Sequence, residues 1–283
     1  MPGLLVTPAD LAAALETGRF AEGGPVRVLD VRWRLDRPDG RPDFLAGHIP
    51  GARYVDLETE LAGHGEPTDG RHPLPSREAF QQSARSWGID DGDTIVVYDD
   101  LKNLSSARAW WLLRAFGVAD VRLLDGSLRA WTDAGLPLET GEASEVAAGS
   151  VTLAAGALPT LALDEVGAFA EGGLLLDARA GERYRGEVEP IDPRAGHVPG
   201  AVSAPTTENV AADGRFLSPD ALRERFAALG AVEGSPVGVY CGSGVTAAHE
   251  AVALQLAGFE AVLFPGSWSQ WSNHPGLPVA TGS

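Results

Sequence analysis

The sequence predicts an α/β protein made of two tandem domains, each a mostly parallel sheet flanked by helices on both faces. Two observations carry this prediction. Short apolar runs alternate with longer amphipathic segments along the chain, which is the pattern of strands joined by helical crossovers. The same motifs also occur twice in the same order, and a repeat of this length is typical of duplicated domains rather than of a solenoid.

Six apolar runs, three in each copy, are expected to form buried strands: residues 26–31, 95–98, 121–124, 174–177, 237–240 and 261–264. Four amphipathic segments are expected to form helices: residues 76–87, 107–116, 219–229 and 247–256. Ser76 and Ser218 stand where helix N-caps belong, and Pro219 suits a first helical position.

The repeat is clearest where Gly-His-Ile-Pro-Gly-Ala at 47–52 returns as Gly-His-Val-Pro-Gly-Ala at 196–201. Leu-Asp-Val-Arg at 29–32 likewise matches Leu-Asp-Ala-Arg at 176–179. Five such pairs keep their order and spacing, which chance does not produce. We therefore expect a first domain at 1–139, a linker rich in Gly, Ala, Ser, Thr and Glu at 140–158, and a second domain at 159–283.

The charge balance narrows the range of partners. With 22 Lys and Arg against 39 Asp and Glu, the net charge is −17, so we expect neither nucleic acid nor an anionic membrane surface as a partner. The one cysteine cannot form an internal disulfide, which fits a reducing compartment. The N-terminal residues lack the features of a signal peptide, and no run of about 18 apolar residues occurs, so we expect a cytoplasmic protein.

The single cysteine, Cys241, stands where an open α/β sheet places its chemistry, between an apolar run and a helical segment. Gly242 and Gly244 allow the loop to turn backbone N–H groups inward, and the following helix N-terminus completes an anion pocket. We expect the thiol at the mouth of this pocket to be stabilised as a thiolate. The alternative is a small buried hydrophobe, but Asp99 at the matching position of the first copy shows that the fold needs no cysteine there.

The loop Cys-Gly-Ser-Gly-Val-Thr-Ala at 241–247 resembles the active-site loop of 3-mercaptopyruvate sulfurtransferases, within the two-domain rhodanese superfamily. The paired Gly-His-Ile/Val-Pro-Gly-Ala segments and the Gly-Ser-Trp near the C-terminus are similar to that superfamily too, so the resemblance covers nearly the whole chain. It implies two rhodanese-like domains and transfer of sulfane sulfur from 3-mercaptopyruvate through a Cys241 persulfide, with release of pyruvate. The acceptor would be cyanide, a thiol or a thioredoxin-like protein.

The residues after the cysteine distinguish between donors. Thiosulfate sulfurtransferases typically place Arg and Lys there, whereas this chain has Gly242 and Ser243. A monoanionic α-keto acid needs less positive charge, so the neutral loop favours mercaptopyruvate. Two alternatives stay open: a thiosulfate:cyanide sulfurtransferase, and a non-enzymatic persulfide carrier loaded by a partner. A cysteine phosphatase is excluded, because Ala247 stands where its phosphate-gripping Arg would be.

The resemblance also implies residues that hold the donor. Arg183 matches one of the family's two carboxylate-binding arginines. The second usually follows a Glu-Pro pair, but Pro190 stands at that place in our alignment, and Arg194 is the candidate replacement. Backbone and side chains of the cysteine loop complete the set of expected donor-binding residues: Gly242, Gly244, Val245 and Thr246.

A Ser-His-Asp relay beside the cysteine is a further implication of the resemblance. Ser243 matches the serine and His48 the histidine, with Asp39 as the aspartate and Asp36 and Asp43 as rivals. Such a relay would polarise the carbonyl of the donor. The alternative for His48 is structural, because its repeat partner His197 sits in the same motif and either histidine would brace the turn.

Other repeated residues are assigned to structure. Asp30 with Arg32, and Asp177 with Arg179, are expected to form strand-end ion pairs, because they occur in the copy without a cysteine as well. The acidic loop 99–103 leaves the first copy without a thiol and therefore catalytically silent. We expect no cofactor and no metal, since the histidines show no ligand spacing.

Overall fold

The computed structural model describes residues 3–154 and 156–283, which divide into two compact units. Among these residues, unit 1 holds those of Met1–Gly63, Pro75–Leu158 and Ala212–Arg215. Unit 2 holds those of His64–Leu74, Pro159–Ala211 and Phe216–Ser283. Two loops belong to a different unit from the one that the sequence predicts. Residues 64–74 pack with unit 2, and residues 212–215 pack with unit 1.

Unit 1 is built on a five-stranded sheet in the order β1-β5-β4-β2-β3, with every pair parallel. The strands are β1 (Leu5–Val6), β2 (Val26–Asp30), β3 (Arg53–Tyr54), β4 (Thr94–Tyr98) and β5 (Asp120–Leu124). The helices are α1 (Pro8–Thr17), α2 (Arg41–Ala46), α3 (Leu57–Glu60), α4 (Arg77–Ser86), α5 (Ser106–Ala115) and α6 (Ser127–Asp133).

The central strand β4 shows why this unit has two covered faces. All five of its residues are buried. Val96 and Tyr98 point into an apolar cluster that includes Trp131, while Ile95 and Val97 are equally buried on the other side of the strand. A strand buried on both faces needs helices on both faces, as parallel sheets generally have.

Unit 2 repeats the plan with a four-stranded parallel sheet in the order β7-β6-β8-β9. Its strands are β6 (Leu174–Asp177), β7 (Val202–Ser203), β8 (Val237–Tyr240) and β9 (Ala261–Leu263). Its α-helices are α7 (Leu163–Gly172), α8 (Gly181–Tyr184), α9 (Pro219–Ala228), α10 (Thr246–Ala257) and α11 (Ser267–Ser272). Two short 3₁₀ helices complete the unit: Pro67–Asp69 and Thr206–Asn209.

The predicted α/β class and the ten predicted elements are confirmed, each within one residue at either end. Ser76 and Ser218 cap α4 and α9, since each hydroxyl accepts a hydrogen bond from the backbone N–H three residues ahead. The two strand-end ion pairs are also confirmed, and both are buried: Arg32 with Asp30, and Arg179 with Asp177, at 2.6 Å each. Within the described chain, no helix has the length and apolar character needed to cross a membrane.

Candidate active site

Cys241 follows the last residue of β8, and the loop from 241 to 245 leads into α10. Its Sγ accepts a hydrogen bond from the backbone N–H of Gly244 at 3.2 Å, and its own N–H donates to Oγ of Ser267 at 3.1 Å. Gly244 has φ +78°, a left-handed conformation that favours glycine. The turn at Gly244 therefore aims a main-chain donor at the sulfur, as an anion-stabilising loop requires.

The thiol is deeper than the sequence indicated. Cys241 is only 2% exposed, and all residues from 241 to 245 are buried, so the expected position at an open mouth is wrong. The backbone of the loop is bonded to the first turn of α11: Trp268 N–H donates to the Cys241 carbonyl at 2.9 Å, and Ser269 N–H to the Gly242 carbonyl at 2.8 Å. Access of a reagent to the sulfur is therefore the first property to measure.

Unit 1 holds an anion at the place where unit 2 has its cysteine. The Oδ1 atom of Asp99 accepts hydrogen bonds from the backbone N–H groups of Leu101 and Asn103, at 2.7 and 2.9 Å. Its Oδ2 atom accepts from those of Ser105 and Ser106, at 2.8 and 3.0 Å. The loop after β4 therefore has the backbone geometry of an anion-binding loop, and in unit 1 the anion that it binds is the Asp99 carboxylate.

Two guanidinium groups lie against the residue next to the cysteine. A β-carbon added to Gly242 would stand 3.4 Å from Nη1 of Arg183 and 3.4 Å from Nη2 of Arg71. The sequence pointed to Arg183, and the structure places it beside the loop. Arg71 was missed, because it belongs to the segment 64–74, which the repeat assigns to the first domain but which packs in unit 2.

Two buried carboxylates hold these arginines. Arg183 Nη2 donates to Glu189 at 2.6 Å and to Asp192 at 3.2 Å, and Arg71 Nη1 donates to Asp192 at 2.8 Å. Both carboxylates are only 3% exposed in their side chains. Water therefore screens these pairs weakly, and the cluster is electrically balanced at the loop.

The expectation for Arg194 is corrected by its contacts. Its guanidinium donates to four backbone carbonyls at 2.8–2.9 Å, those of Trp271, Ser272, His274 and Leu277. These carbonyls lie at the C-terminal end of α11 and just beyond it, where unpaired carbonyls need donors. Arg194 is thus committed to a helix end and does not replace the second carboxylate-binding arginine.

Ser243 lies beside a histidine, but from a segment that the sequence did not indicate. Oγ of Ser243 is 2.7 Å from Nδ1 of His72, and both residues are buried in unit 2. A hydroxyl in hydrogen-bond contact with an imidazole can pass a proton to or from a bound substrate. We therefore assign the histidine beside the serine to His72.

His48 has the bracing role that was the alternative for it. Its Nδ1 lies 2.9 Å from the Phe44 carbonyl, its ring stacks on that of Phe44 at 3.9 Å, and Glu139 approaches its Nε2 at 3.9 Å. His197 makes the same contacts in unit 2, with the carbonyl and ring of Tyr184. Two histidines that share the carbonyl contact and the ring stacking, one in a unit without a thiol, indicate structure rather than catalysis.

The aspartate of the expected relay is corrected as well. Asp39 is exposed, and its carboxylate accepts a hydrogen bond from the N–H of Arg41 at the start of α2. The rival Asp36 is exposed too, and Asp43 pairs with Arg37. None of these contacts joins an aspartate to His48.

The remaining expected residues belong to the start of α10. Val245 is the N-cap residue, and Thr246 is the first helical residue. A direct role for them in donor binding stays a prediction. Across residues 3–154 and 156–283, no group of three or more His, Cys, Asp and Glu side chains is arranged to hold a metal ion.

A signal for Arg71 was present in the repeat. Asp-Gly-Arg at 69–71 returns as Asp-Gly-Arg at 213–215, and both triplets lie in the loop segments that the two units exchange. A repeated arginine just before a capped helix, in a loop rather than in the core, was a candidate for a site. What the repeat could not show is which unit each loop joins.

Comparison with known proteins decides the family. The family model described as "Rhodanese-like domain" matches residues 7–134 and again residues 162–274. This chain belongs to the rhodanese family. The first match contains four of the five strands of the unit 1 sheet and the second contains all four strands of the unit 2 sheet, so the tandem arrangement expected from the repeat is confirmed.

Relatives that match nearly the whole chain carry names from both donor classes. The chain is 49% identical to the "Putative thiosulfate sulfurtransferase SseB" of Mycobacterium tuberculosis, over 99% of this chain and 98% of that protein. It is 45% identical to the "Probable 3-mercaptopyruvate sulfurtransferase" of Pseudomonas aeruginosa, over 98% of both. The crystal structure of SseA from Escherichia coli, a 3-mercaptopyruvate sulfotransferase, superposes with a TM-score of 0.81 at 33% identity, covering 94% of this chain and 98% of that one.

Proposed function

We propose that this rhodanese protein is a sulfurtransferase that takes sulfur from 3-mercaptopyruvate onto Cys241 and passes it to a thiophilic acceptor. One observation carries the proposal: the sulfur that accepts the Gly244 N–H stands next to Gly242, against which two guanidinium groups lie. A nucleophile beside fixed positive charge is what an anionic sulfur donor needs.

The first half of the cycle balances without any other reactant. The Cys241 thiolate attacks the sulfur of 3-mercaptopyruvate, the S–S bond forms, and the C–S bond breaks with its electron pair left on carbon. The resulting pyruvate enolate takes up the proton that the donor thiol carried. Ser243 and His72, 2.7 Å apart beside the loop, are suited to polarise the keto oxygen and to carry that proton. The products are pyruvate and the Cys241 persulfide.

The charge of the loop supports a keto acid as the donor. Gly242 and Ser243 bring no charge next to the sulfur, and the two nearby guanidinium groups are balanced by Glu189 and Asp192. A monoanion is accommodated there at lower electrostatic cost than a dianion. The donor's carbonyl also offers a hydrogen-bond acceptor, which Ser243 can use.

Thiosulfate is the second candidate donor, and one observation favours it. The Mycobacterium tuberculosis relative, with 49% identity over nearly the whole chain, bears a thiosulfate sulfurtransferase name. The two donors lead to the same Cys241 persulfide and differ in the group that leaves. They therefore compete for one site and are compared directly by their kcat/KM values.

For the second half of the cycle we propose a thiol or a thioredoxin-like protein as the acceptor, in the cytoplasm. A thiolate attacks the outer sulfur of the persulfide, and Cys241 leaves as the thiolate that begins the next turn. A chain with one cysteine has no internal thiol to resolve the persulfide, so the acceptor must come from outside. A reducing compartment supplies such thiols.

The deciding experiment is the intact mass of the purified protein after mercaptopyruvate treatment. We expect one added sulfur, its loss on addition of cyanide, and neither change in Cys241→Ser. Turnover of mercaptopyruvate with kcat/KM above that of thiosulfate would support the keto acid as donor, and the reverse order would make thiosulfate the donor. Persulfide loading by a cysteine desulfurase, without turnover of either small donor, would instead identify a carrier module.

A further inference from the structure

Arg71 carries one of the two guanidinium groups beside the Cys241 loop, and the proposed function has so far used only its positive charge. We propose that Arg71 binds the carboxylate of the incoming donor together with Arg183, and that Asp192 positions Arg71 and limits the charge of the donor. The inference rests on the proposed function, since it names the residues that recognise the monoanion. It adds a donor-binding residue from the segment 64–74, which also supplies His72, to a site whose other residues come after 180.

The backbone of Arg71 is fixed at the site. Its N–H donates to Oγ of Ser269 at 3.0 Å, and Ser269 N–H in turn donates to the carbonyl of Gly242. One hydroxyl-bearing residue of α11 thus links Arg71 to the cysteine loop. A loop held at this point costs little conformational entropy when its side chain binds a ligand.

The side chain of Arg71 is held from one end only. Nη1 donates to Asp192 at 2.8 Å, while Nε is buried and, within the described residues, has no hydrogen-bond partner. An unsatisfied buried donor on a cation is costly, and an anion that accepts its hydrogen would recover that cost. Arg71 therefore still has N–H groups that can donate to a ligand while its Nη1 donates to Asp192.

The free edges of the two arginines meet over Gly242. Nη2 of Arg71 and Nη1 of Arg183, which are not the atoms that contact Asp192 and Glu189, each lie 3.4 Å from the position of a Gly242 β-carbon. A carboxylate placed over Gly242 has two oxygens and can accept one hydrogen bond from each arginine. Any side chain at residue 242 would contact both guanidinium groups at that place.

The carboxylates set which anion fits. Arg71 and Arg183 carry two positive charges, and Glu189 and Asp192, both 3% exposed, carry two negative charges. A bound monoanion leaves this cluster with a net charge of −1, and a dianion with −2, in surroundings that water screens weakly. Asp192 touches both arginines, so its charge opposes a second negative charge on the donor most directly.

The arrangement also accounts for a departure from the family pattern. The resemblance places the family's second arginine after a Glu-Pro pair, and Pro190 stands at that place in this chain. Arg194 is committed to carbonyls at the end of α11. Asp192, two residues after that place, pairs with Arg183 at 3.2 Å and with Arg71 at 2.8 Å, so the segment 64–74 supplies a second cation there.

The test compares two reagents that alkylate the same sulfur and differ in charge, iodoacetate and iodoacetamide. The quantity measured is the second-order rate constant for alkylation by iodoacetate divided by that for iodoacetamide. We expect this ratio to be higher for Cys241 in the wild-type full chain than for free cysteine. Arg71→Ala should lower this ratio by about tenfold, the loss of one charge-assisted hydrogen bond, and the ratio cancels any change in the reactivity of the sulfur that both reagents share. Asp192→Asn should raise the ratio. Arg71→Lys, which keeps the charge, should restore part of it.

Arg215→Ala is the matched control, because Arg215 ends the second Asp-Gly-Arg triplet but belongs to unit 1, where it pairs with Asp213 at 3.6 Å. It should leave the ratio within twofold of the wild type. An unchanged ratio in Arg71→Ala, or a fall of equal size in Arg215→Ala, would refute the proposal. So would a Cys241 inert to both reagents, since no anion would then reach the loop past Arg71.

A kinetic measurement separates this inference from the proposed function. For mercaptopyruvate we expect Arg71→Ala to raise KM about tenfold with kcat changed much less, because the carboxylate is bound alike in ground and transition states. For thiosulfate, Asp192→Asn should raise kcat/KM. If wild-type protein fails to turn over mercaptopyruvate yet shows the Arg71-dependent alkylation ratio, the proposed donor is wrong and the anion site stands.

Discussion

Glu250 is a buried carboxyl group on α10, the helix that follows the Cys241 loop, and it should make the stability of the protein depend on pH. It is fully buried, Nδ2 of Asn209 donates to its Oε2 at 2.7 Å, and Arg225 approaches its Oε1 only to 3.7 Å. Burial raises the pKa of Glu250 from 4.5 to about 7, against the opposing effect of the Arg225 charge.

The sign and size of the effect follow from linkage. Because the pKa of Glu250 is higher in the folded than in the unfolded state, the folded state binds more protons between pH 4.5 and about pH 7, and stability falls as the pH rises through that window. Below this window Glu250 is protonated in both states and does not lower the free energy of unfolding. Above it the penalty reaches about 3 kcal/mol, because each unit of pKa shift corresponds to about 1.4 kcal/mol.

The assay is urea denaturation of the wild type and Glu250→Gln at pH 5 and pH 8. The amide keeps the shape and the contact with Asn209 but does not titrate, so the difference between the two proteins isolates Glu250. We expect the free energy of unfolding of Glu250→Gln, relative to that of the wild type, to rise by about 2 to 3 kcal/mol from pH 5 to pH 8. A difference that is the same at both pH values would refute the reasoning, because Glu250 would then not be protonated in the folded state.

Three further predictions follow from single contacts. Arg194→Ala should lower the free energy of unfolding by about 3 kcal/mol in urea denaturation, because four carbonyls lose charged donors, while KM for mercaptopyruvate stays within twofold. Asp99→Ala should cost a similar amount in the same assay, since four backbone N–H groups lose their acceptor, and an unchanged value would contradict the anion loop of unit 1. Ser243→Ala should lower kcat for mercaptopyruvate at least tenfold with iodoacetamide reactivity intact, and adding His72→Ala should cost little more if the two act as a pair.

The sequence was sufficient wherever burial alone determines an element. The run around β4 is apolar because both faces of that strand are covered, and Ser76 and Ser218 mark helix starts because their hydroxyls accept local N–H groups. The two-residue strands β1, β3 and β7 left no such pattern, since two residues cannot show a period.

The site was only half predictable for a different reason. Cys241 and Arg183 lie in segments that follow strands of their own domain, so local reasoning found Cys241, and the family resemblance pointed to Arg183. Arg71 and His72 come from a segment that packs in the other unit from the one its repeat position indicates, and nothing local records that exchange. Arg194 was misassigned because its four acceptor carbonyls lie more than 70 residues away in the chain.

The matching loops of the two units differ in how many hydrogen bonds they give to Asp99 and to Cys241. Asp99 accepts hydrogen bonds from four backbone N–H groups and from the hydroxyl of Ser127, so its carboxylate is fixed in place and stabilises the loop. In the described structure Sγ of Cys241 accepts one hydrogen bond, from Gly244. A sulfur that accepts many hydrogen bonds is a weaker attacking group, so a sulfur held as firmly as Asp99 would react poorly. With one N–H at Sγ and the arginines beside Gly242, the other lone pairs of Sγ remain for the incoming sulfur.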